Sequence, residues 1–439
     1  MPLIRHPLSA LALAVTLLLP GLTSAQNLQD LYEAARAYDA IFLSARALAE
    51  SAEARVAQSE ALLRPSASAT ASISATQSNL PVLGNRGSTT VGGGVNGRYP
   101  LFNRANSVTI AQARKTLETA RADLESAEQD LIVRVGQAYF DVLAAQDTLA
   151  TTQASKKAIT EQLASAKRNF EVGTATITDT REAQARFDLG TATEIAADND
   201  LRAKRIALDV LVGRQNVVPK GLLVPIVLPA VSPADPEEWV TQASGVHPTI
   251  RRARVGLEVA QLEIDKARAG ELPTVDAVAS VNASDGRGRA VTLPGTSTTA
   301  NVGVQMSWPL YTGGAVQNRI RETLKLQEKS ANDLEAARRA VAQATRVAYF
   351  GVQSGLAQVK ALEAAEASSK LALEATQLGF RVGVRVNLDV LNSQSQLFTT
   401  QRDLARARYD VLLGSLKLRQ ASGQLAPADV QMVNRLLVR

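Results

Sequence analysis

Residues able to do chemistry are scarce in this sequence, and they are isolated from one another. The 439 residues include two histidines and no cysteine, and one histidine, His6, lies among the first 25. A Ser-His-Asp mechanism would rest on His247 alone, with no visible partner, and disulfides and thiolate sites are excluded. His247 precedes Pro248 at a predicted helix start, which indicates a structural role. We expect no enzyme activity, no cofactor and no metal site.

A glycine-rich segment at residues 92–97 (GGGVNG) has the spacing of a dinucleotide-binding loop. That chemistry needs a strand before the glycines and a helix after them. Here the glycines lie inside an alternating strand pattern, so we interpret them as a crowded part of a sheet. The sequence has no Walker-type phosphate loop, so energy for any transport must come from another protein.

Residues 1–25 have the organisation of a secretory signal peptide. Arg5 supplies a positive charge, residues 8–19 are mostly apolar, and small residues lead up to Ala25. The apolar run is too short to span a bilayer, which makes a membrane anchor the weaker interpretation. The net charge is +6, from 48 basic and 42 acidic residues. Because these charges alternate in sign, they indicate solvated helix faces and no nucleic-acid partner.

The secondary-structure elements that would position a functional site occur twice in the chain. By the difference between matched positions, equivalent segments lie 208–210 residues apart, which indicates a duplicated half. Matched segments are Tyr99-Pro100-Leu101-Phe102 with Trp308-Pro309-Leu310-Tyr311, Ala138-Tyr139-Phe140 with Ala348-Tyr349-Phe350, and Phe170-Glu171-Val172-Gly173 with Phe380-Arg381-Val382-Gly383. We expect a signal peptide at 1–25, a first repeat at 26–215, an equatorial linker at 216–235, a second repeat at 236–425 and an equatorial tail at 426–439. Each repeat has the order helix, strand, strand, long helix, helix.

Four segments, two in each repeat, alternate between apolar and polar residues and predict strands of about ten residues, enough to cross a membrane when tilted. Their apolar faces are Ala67, Ala69, Ala71, Ile73 and Ala75; Val91, Val95, Tyr99 and Leu101; Val275, Ala277, Ala279, Val281 and Ala283; and Val302, Val304, Met306, Trp308 and Leu310. Four strands cannot close a barrel, and an open edge in lipid is costly. Two chains would give eight strands with a filled interior, and three would give twelve with room for a lumen. Hairpins on a soluble domain are the alternative.

Long helices follow the strands. Residues 103–170 contain no proline, and their apolar residues recur in heptad-like steps. This stripe comprises Ile110, Ala113, Leu117, Ala120, Leu124, Ala127, Leu131, Val135, Ala138, Val142, Ala145 and Leu149. A helix of about 65 residues would be roughly 100 Å long, comparable with a cell-envelope gap. The second repeat has a looser stripe from Leu324 to Val352. Return helices are predicted at 176–214 and 386–422, after glycine turns at Val172-Gly173 and Val382-Gly383.

Together these segments resemble the TolC family of outer-membrane factors. The resemblance covers essentially the whole chain after residue 25, and it is carried by the Pro-Leu-Phe and Pro-Leu-Tyr strand ends, the Ala-Tyr-Phe sequences and the Val-Gly turns. Further matching segments are Ile177-Thr178-Asp179, Leu388-Asp389-Val390-Leu391 and Tyr311-Thr312-Gly313-Gly314. The resemblance implies an α+β membrane protein: a homotrimer whose twelve-stranded β-barrel, four strands per chain, continues into a long antiparallel coiled-coil α-helical barrel. It also implies that the protein lies in the bacterial outer membrane, with lipid around the barrel and a helical tunnel projecting into the periplasm.

The resemblance further implies that the protein is the passive exit duct of a tripartite efflux pump or a type I secretion system. Its partners would be a periplasmic adaptor (membrane fusion) protein and an inner-membrane transporter of the RND, ABC or MFS class. The sequence does not identify the cargo as drug, metal ion or polypeptide. A non-conducting coiled-coil envelope protein is the alternative, although a spacer needs no polar-faced strands. A soluble periplasmic enzyme is disfavoured by the absence of catalytic groups.

The same resemblance implies which residues control the periplasmic end. Family members narrow this end with inward-facing aspartates; Asp389 stands at the first such position, and Asn392 stands where a second aspartate is expected. Three Asp389 side chains at a constriction would select cations. A latch is implied between the two helix tips, with Asp179 and Arg385 as a charge-assisted pair, while Phe380 stands where a tyrosine hydroxyl is expected. The latch residues are Thr178, Asp179, Phe380 and Arg385, and the adaptor-binding tips are Val172, Gly173, Thr174, Val382, Gly383 and Val384.

Overall fold

The computed structural model describes residues 26–81, 84–174, 176–223, 225–288 and 295–438. The predicted signal peptide at 1–25 lies outside these residues. The helices are α1 (Leu28–Tyr38), α2 (Ala40–Glu60), α3 (Arg104–Glu171), α4 (Ile177–Val212), α5 (Pro236–Val246), α6 (Pro248–Arg268), α7 (Ala315–Arg381), α8 (Asn387–Ala421) and α9 (Pro427–Asn434). The strands are β1 (Ser66–Leu80), β2 (Gly84–Phe102), β3 (Thr274–Gly288) and β4 (Gly295–Ser307). Within the described ranges, no helix is both long enough and apolar enough to span a membrane.

The two halves of the chain contain the same elements in the same order. α1 and α5 have 11 residues each, α2 and α6 have 21 each, and α3 and α7 have 68 and 67. Equivalent residues cap equivalent helices: the Asp39 carboxylate accepts from the Phe42 N–H in α2, and the His247 ring accepts from the Thr249 N–H in α6. Such an acceptor satisfies a backbone donor that the helix leaves unpaired. The structural role predicted for His247 is therefore confirmed.

The strands form one antiparallel sheet in chain order, β1-β2-β3-β4. They have 13 to 19 residues and exceed the predicted length, because hairpin pairing continues to the loop ends. β4 ends at Ser307, so Trp308 and Leu310, which were predicted on its apolar face, lie beyond the sheet. Pro309 has no N–H to offer the ladder, which accounts for this end.

The two faces of the sheet differ in chemistry because each residue lies beside its register partner on the next strand. One row crosses the sheet as Ser68, Asn96, Ser280 and Asn301, and a second as Ser72, Gly92, Ser284 and Ser297. A row on the opposite face is Ala69, Val95, Val281 and Ala300. The predicted alternation is confirmed. The apolar face, including Ile73 and Val302, is strongly exposed in the single chain, and β1 and β4 are its edge strands.

The long helices pair as two hairpins, α3 with α4 and α7 with α8. The predicted stripe of α3 faces inwards, and its most buried members are Ile110, Ala113, Ala120, Leu131, Val135, Val142 and Ala145. The main core joins this stripe to α1, α9 and the C-terminal half of α8. There the Tyr139 hydroxyl donates a 2.7 Å hydrogen bond to the Lys220 carbonyl. The stripe of α7 is covered less well, since Val341 and Val352 are buried but Leu324 is exposed.

Candidate functional site at the ends of the helical hairpins

Two turns of the same geometry end the long helices. In each turn, three successive N–H groups donate to carbonyl oxygens of the last helical turn at 2.8–3.1 Å. The second residue of each turn, Gly173 or Gly383, has a φ of 79° or 84°. This left-handed conformation favours glycine, which explains why a Val-Gly pair recurs at both tips. The predicted turn positions are confirmed.

Both tips expose apolar side chains to solvent. Val172 at the first tip and Val382 and Val384 at the second are exposed, and Thr174 is held by its hydroxyl, which donates to the Asn169 carbonyl at 3.1 Å. Because an exposed apolar cluster is unfavourable in water, it is typical of a surface that contacts another protein.

Asp179 belongs to the cap of α4. Its carboxylate accepts hydrogen bonds from the Thr176 N–H at 3.0 Å and the Thr176 hydroxyl at 2.8 Å, while that hydroxyl accepts from the Asp179 N–H at 3.2 Å. This reciprocal arrangement is a capping box, and the Thr-x-x-Asp spacing is its sequence signal. Thr178, next to it, is exposed.

Arg385 and Asp389 form an ion pair at the start of α8. Arg385 Nη1 lies 3.6 Å from Asp389 Oδ2, and the side chains are 62% and 37% exposed. At this separation and exposure the pair contributes little stability. Arg385 also packs over Gly379, where an added Cβ would lie 2.8 Å from the arginine Cγ. Phe380, on the last turn of α7, is half-buried.

The predicted pairing of Asp179 with Arg385 is not formed within the described part of the chain. The Asp179 carboxylate instead accepts the hydrogen bonds of the helix cap, and the Arg385 side chain pairs with Asp389. The latch itself stays a prediction. A latch that uses both residues would have to join neighbouring subunits.

A different contact ties the two hairpins together near their ends. Arg186 Nη2 of α4 donates to Asn392 Oδ1 of α8 at 3.0 Å. Beside it, Leu391 of α8 enters a small cluster of the first hairpin, formed by Leu163, Ala166 and Ala183. Arg186 was not identified from the sequence, because it is one of many charged residues on its helix. Asn392, predicted as a constriction residue, thus also has a role in holding the hairpins together.

The glycine segment at 92–97 serves the sheet. A Cβ on Gly94 would lie 1.9 Å from Asn282 Oδ1, so the glycine leaves room for that side chain. The interpretation as a crowded part of a sheet is confirmed. The polar face also carries an ion pair close to the long helices, in which Arg98 Nη2 lies 2.6 Å from Asp276 Oδ2.

This architecture is found in solved outer-membrane channels. The chain is similar to a crystal structure of CusC, with a TM-score of 0.77 and 18% identity over 91% of this chain and 93% of that one. It is also similar to the outer membrane protein VceC from Vibrio cholerae, with a TM-score of 0.75 and 19% identity over 90% of this chain and 96% of that one. The chain therefore shares the fold of these solved proteins.

Sequence comparison gives the family. The model of the family described as outer membrane efflux protein matches residues 31–214 and 239–424. The chain is 33% identical over 412 residues to the outer membrane protein TolC of Vibrio cholerae serotype O1, covering 93% of each chain. It is 34% identical over 339 residues to the alkaline protease secretion protein AprF of Pseudomonas aeruginosa, covering 76% of this chain and 69% of that protein. The chain belongs to the outer membrane efflux protein family. It is an exit duct of the bacterial outer membrane, for efflux or secretion, with its helical part in the periplasm.

Proposed function

We propose that three copies of the chain close a single pore. The observation that carries this proposal is the four-stranded sheet, with one polar face, one apolar face and two open edges, joined to helices of 68 and 67 residues. Three sheets would give twelve strands and remove every open edge. The rows of Ser, Thr and Asn would line a water-filled lumen, and the apolar face would meet lipid. Eight strands, from two copies, would leave no comparable lumen.

We propose that the four hairpin helices of each subunit form the wall of a periplasmic tunnel. α3, with 68 residues, is roughly 100 Å long, which is the length such a tunnel needs. The exposed valines at 172, 382 and 384 supply an apolar contact for a periplasmic adaptor protein. An inner-membrane transporter of the RND, ABC or MFS class would supply the energy. We divide the chain into repeats at 26–215 and 236–425, with a linker at 216–235 and a tail at 426–439. This division agrees with the proposed tunnel, because each repeat supplies one hairpin of long helices.

We propose that the tunnel narrows at the hairpin ends. Asp389 and Asn392 lie one turn apart on the first turns of α8, so three subunits would contribute a carboxylate ring and an amide ring. A carboxylate ring attracts cations and repels anions. The Arg186–Asn392 hydrogen bond within each subunit supports a closed state. Thr178, Asp179, Phe380 and Arg385 would complete the closure through contacts between subunits.

Conductance of the purified protein in a planar bilayer tests this function. We expect small, discrete, cation-selective steps, because the narrow entrance carries negative charge. A mass measurement on the same preparation should give three copies per particle. Folded trimers that never conduct, even after the Arg186–Asn392 contact is removed, would contradict the pore and favour a non-conducting envelope protein.

A further inference from the structure

A cavity of about 210 Å³ lies where the two hairpins of the chain meet, and α3, α4 and α8 all contribute to its lining. It borders the Arg186–Asn392 contact, because Arg186 is one of the lining residues. Sites for drug-sized ligands enclose about 300–1,000 Å³, and a helix with its side chains is about 10–12 Å wide. The cavity is therefore too small for a helix of another protein, and it suits a molecule of about one ring.

Part of the lining is apolar. Ile159 of α3, Leu189 of α4, and Leu391 and Phe398 of α8 contribute apolar side chains. Leu189 is 59% exposed and Phe398 is half-buried, so both have apolar surface that a ligand can cover. Removing this surface from water is favourable, and an aromatic ring packs well against a phenylalanine. The apolar part therefore indicates an aromatic body for the ligand.

The charged side chains of the lining are basic. They are Arg186 of α4 and Arg402 of α8, and no acidic residue is among the described residues that line the cavity. Arg186 donates one hydrogen bond to the neutral Asn392, and Arg402 donates two to Asp403, which offsets part of its charge. A guanidinium has five N–H donors, so both arginines have donors left for a ligand. Because arginine binds carboxylates through charge-assisted hydrogen bonds, the cavity suits an organic anion.

Hydroxyl groups complete the polar part of the lining. Those of Thr152 and Thr193 each donate to a carbonyl of their own helix, at 2.8 and 2.9 Å. Those of Ser155, Ser395 and Thr399 make no hydrogen bond to any residue that the structure describes. A hydroxyl without a partner can donate to a carboxylate oxygen. These groups therefore add donors on α3 and α8 to those of the two arginines.

We propose that this cavity binds a small aromatic carboxylate, with the ring beside Phe398 and the carboxylate paired with Arg186 and Arg402. The bound molecule contacts the first hairpin through α3 and α4 and the second hairpin through α8. A ligand that needs both hairpins favours the state in which they are together, by the difference between its affinities for the two states. Binding therefore closes the duct. The closing effect rests on the closed state proposed above, whereas binding itself does not.

Fluorine NMR with para-fluorobenzoate tests the site. The probe is added to the purified duct in lipid nanodiscs, and signal broadening beyond that in empty nanodiscs measures binding. para-Fluorobenzyl alcohol, which has the same ring without the charge, is the control ligand. We expect the anion to be broadened and to be displaced by unlabelled benzoate, and the alcohol to be broadened much less. Equal broadening of the two probes by the duct would overturn the anion site.

Three variants test where the probe binds. Arg402→Gln removes one of the two cations of the cavity and should weaken binding about tenfold. Ser395→Phe places a ring inside the cavity and should abolish binding. Arg406→Gln is the matched control, because Arg406 lies one turn further along α8, pairs with Asp410 and does not line this cavity. Equal binding by the Arg402 and Arg406 variants, or undiminished binding by the Ser395 variant, would overturn the site.

Single-channel recording tests the effect on closure. Benzoate should reduce the fraction of time that the duct is open, and the Ser395→Phe duct should not respond. The Arg402→Gln duct should need more benzoate, by the same factor as in the NMR titration. If the probe binds and the open fraction does not change, the closing effect is wrong and the site stands. A duct that never conducts would contradict the proposed pore, and the NMR titration would still decide whether the site exists.

Discussion

Replacing Arg186 with alanine should open the closed end of the duct. Arg186 of α4 donates a 3.0 Å hydrogen bond to Asn392 of α8, and this contact links the two hairpins of a subunit close to their ends. The substitution removes the link but leaves the cluster around Leu391 in place. The open state, in which we propose that the hairpins separate, should therefore gain population.

The size of this effect follows from exposure and copy number. Because Arg186 is half-buried and Asn392 is exposed, one contact should contribute about 0.5–1 kcal/mol to the closed state. In the proposed trimer three such contacts break together, which amounts to about 1.5–3 kcal/mol by the same estimate. A tenfold change corresponds to about 1.4 kcal/mol, so the ratio of open to closed states should rise roughly 10- to 150-fold.

Single-channel recording in a planar bilayer measures that ratio as the fraction of time spent open. Arg181→Ala is the matched control, since Arg181 lies on the same helix and makes no hydrogen bond or ion pair among the described residues. Asn392→Ala should have the same effect as Arg186→Ala, and the double variant should add nothing further. Equal behaviour of the Arg186 and Arg181 variants, or additive effects in the double variant, would refute the reasoning.

The constriction, the sheet and one helix cap give further expectations. Asp389→Ala should weaken cation preference, seen as a smaller reversal potential in a salt gradient; unchanged selectivity would remove Asp389 from the constriction. Gly94→Ala should lower the heat stability of the duct, because its Cβ would lie 1.9 Å from Asn282 Oδ1, whereas Gly303→Ala enters open space and should be tolerated; equal stability of the two would contradict this. Burial lowers the pKa of His247, so the stability that its neutral ring gives as a cap is present above about pH 6.5 and is lost as the pH falls below it. His247→Asn keeps an acceptor without that titration, and thermal unfolding at about pH 7.5 and about pH 5.5 should show a smaller acid loss than in the unaltered protein; an equal loss in both would reject the cap argument.

Local patterns in the sequence predicted most of the elements. Apolar residues alternate every two positions in the strands and recur every three or four positions in α3. Both patterns arise because the apolar side chains must face one side of the element, so they can be recognised from the sequence alone. The repeat interval predicted that the halves share their order of elements. The Thr176-x-x-Asp179 spacing is the sequence pattern of a helix cap, whereas the resemblance implies a latch role for Asp179.

The tertiary structure decided how residues far apart in the chain are paired. Arg186 and Asn392 are 206 positions apart, and nothing in their immediate neighbourhoods marks them as partners. The same is true of the covered Phe140 and the exposed Phe350, whose Ala-Tyr-Phe segments are identical in sequence. The periodicity of apolar residues predicts which side chains are buried, because burial follows one face of a helix or strand. It does not predict which surface packs against them, because that depends on how helices distant in the chain come together in space.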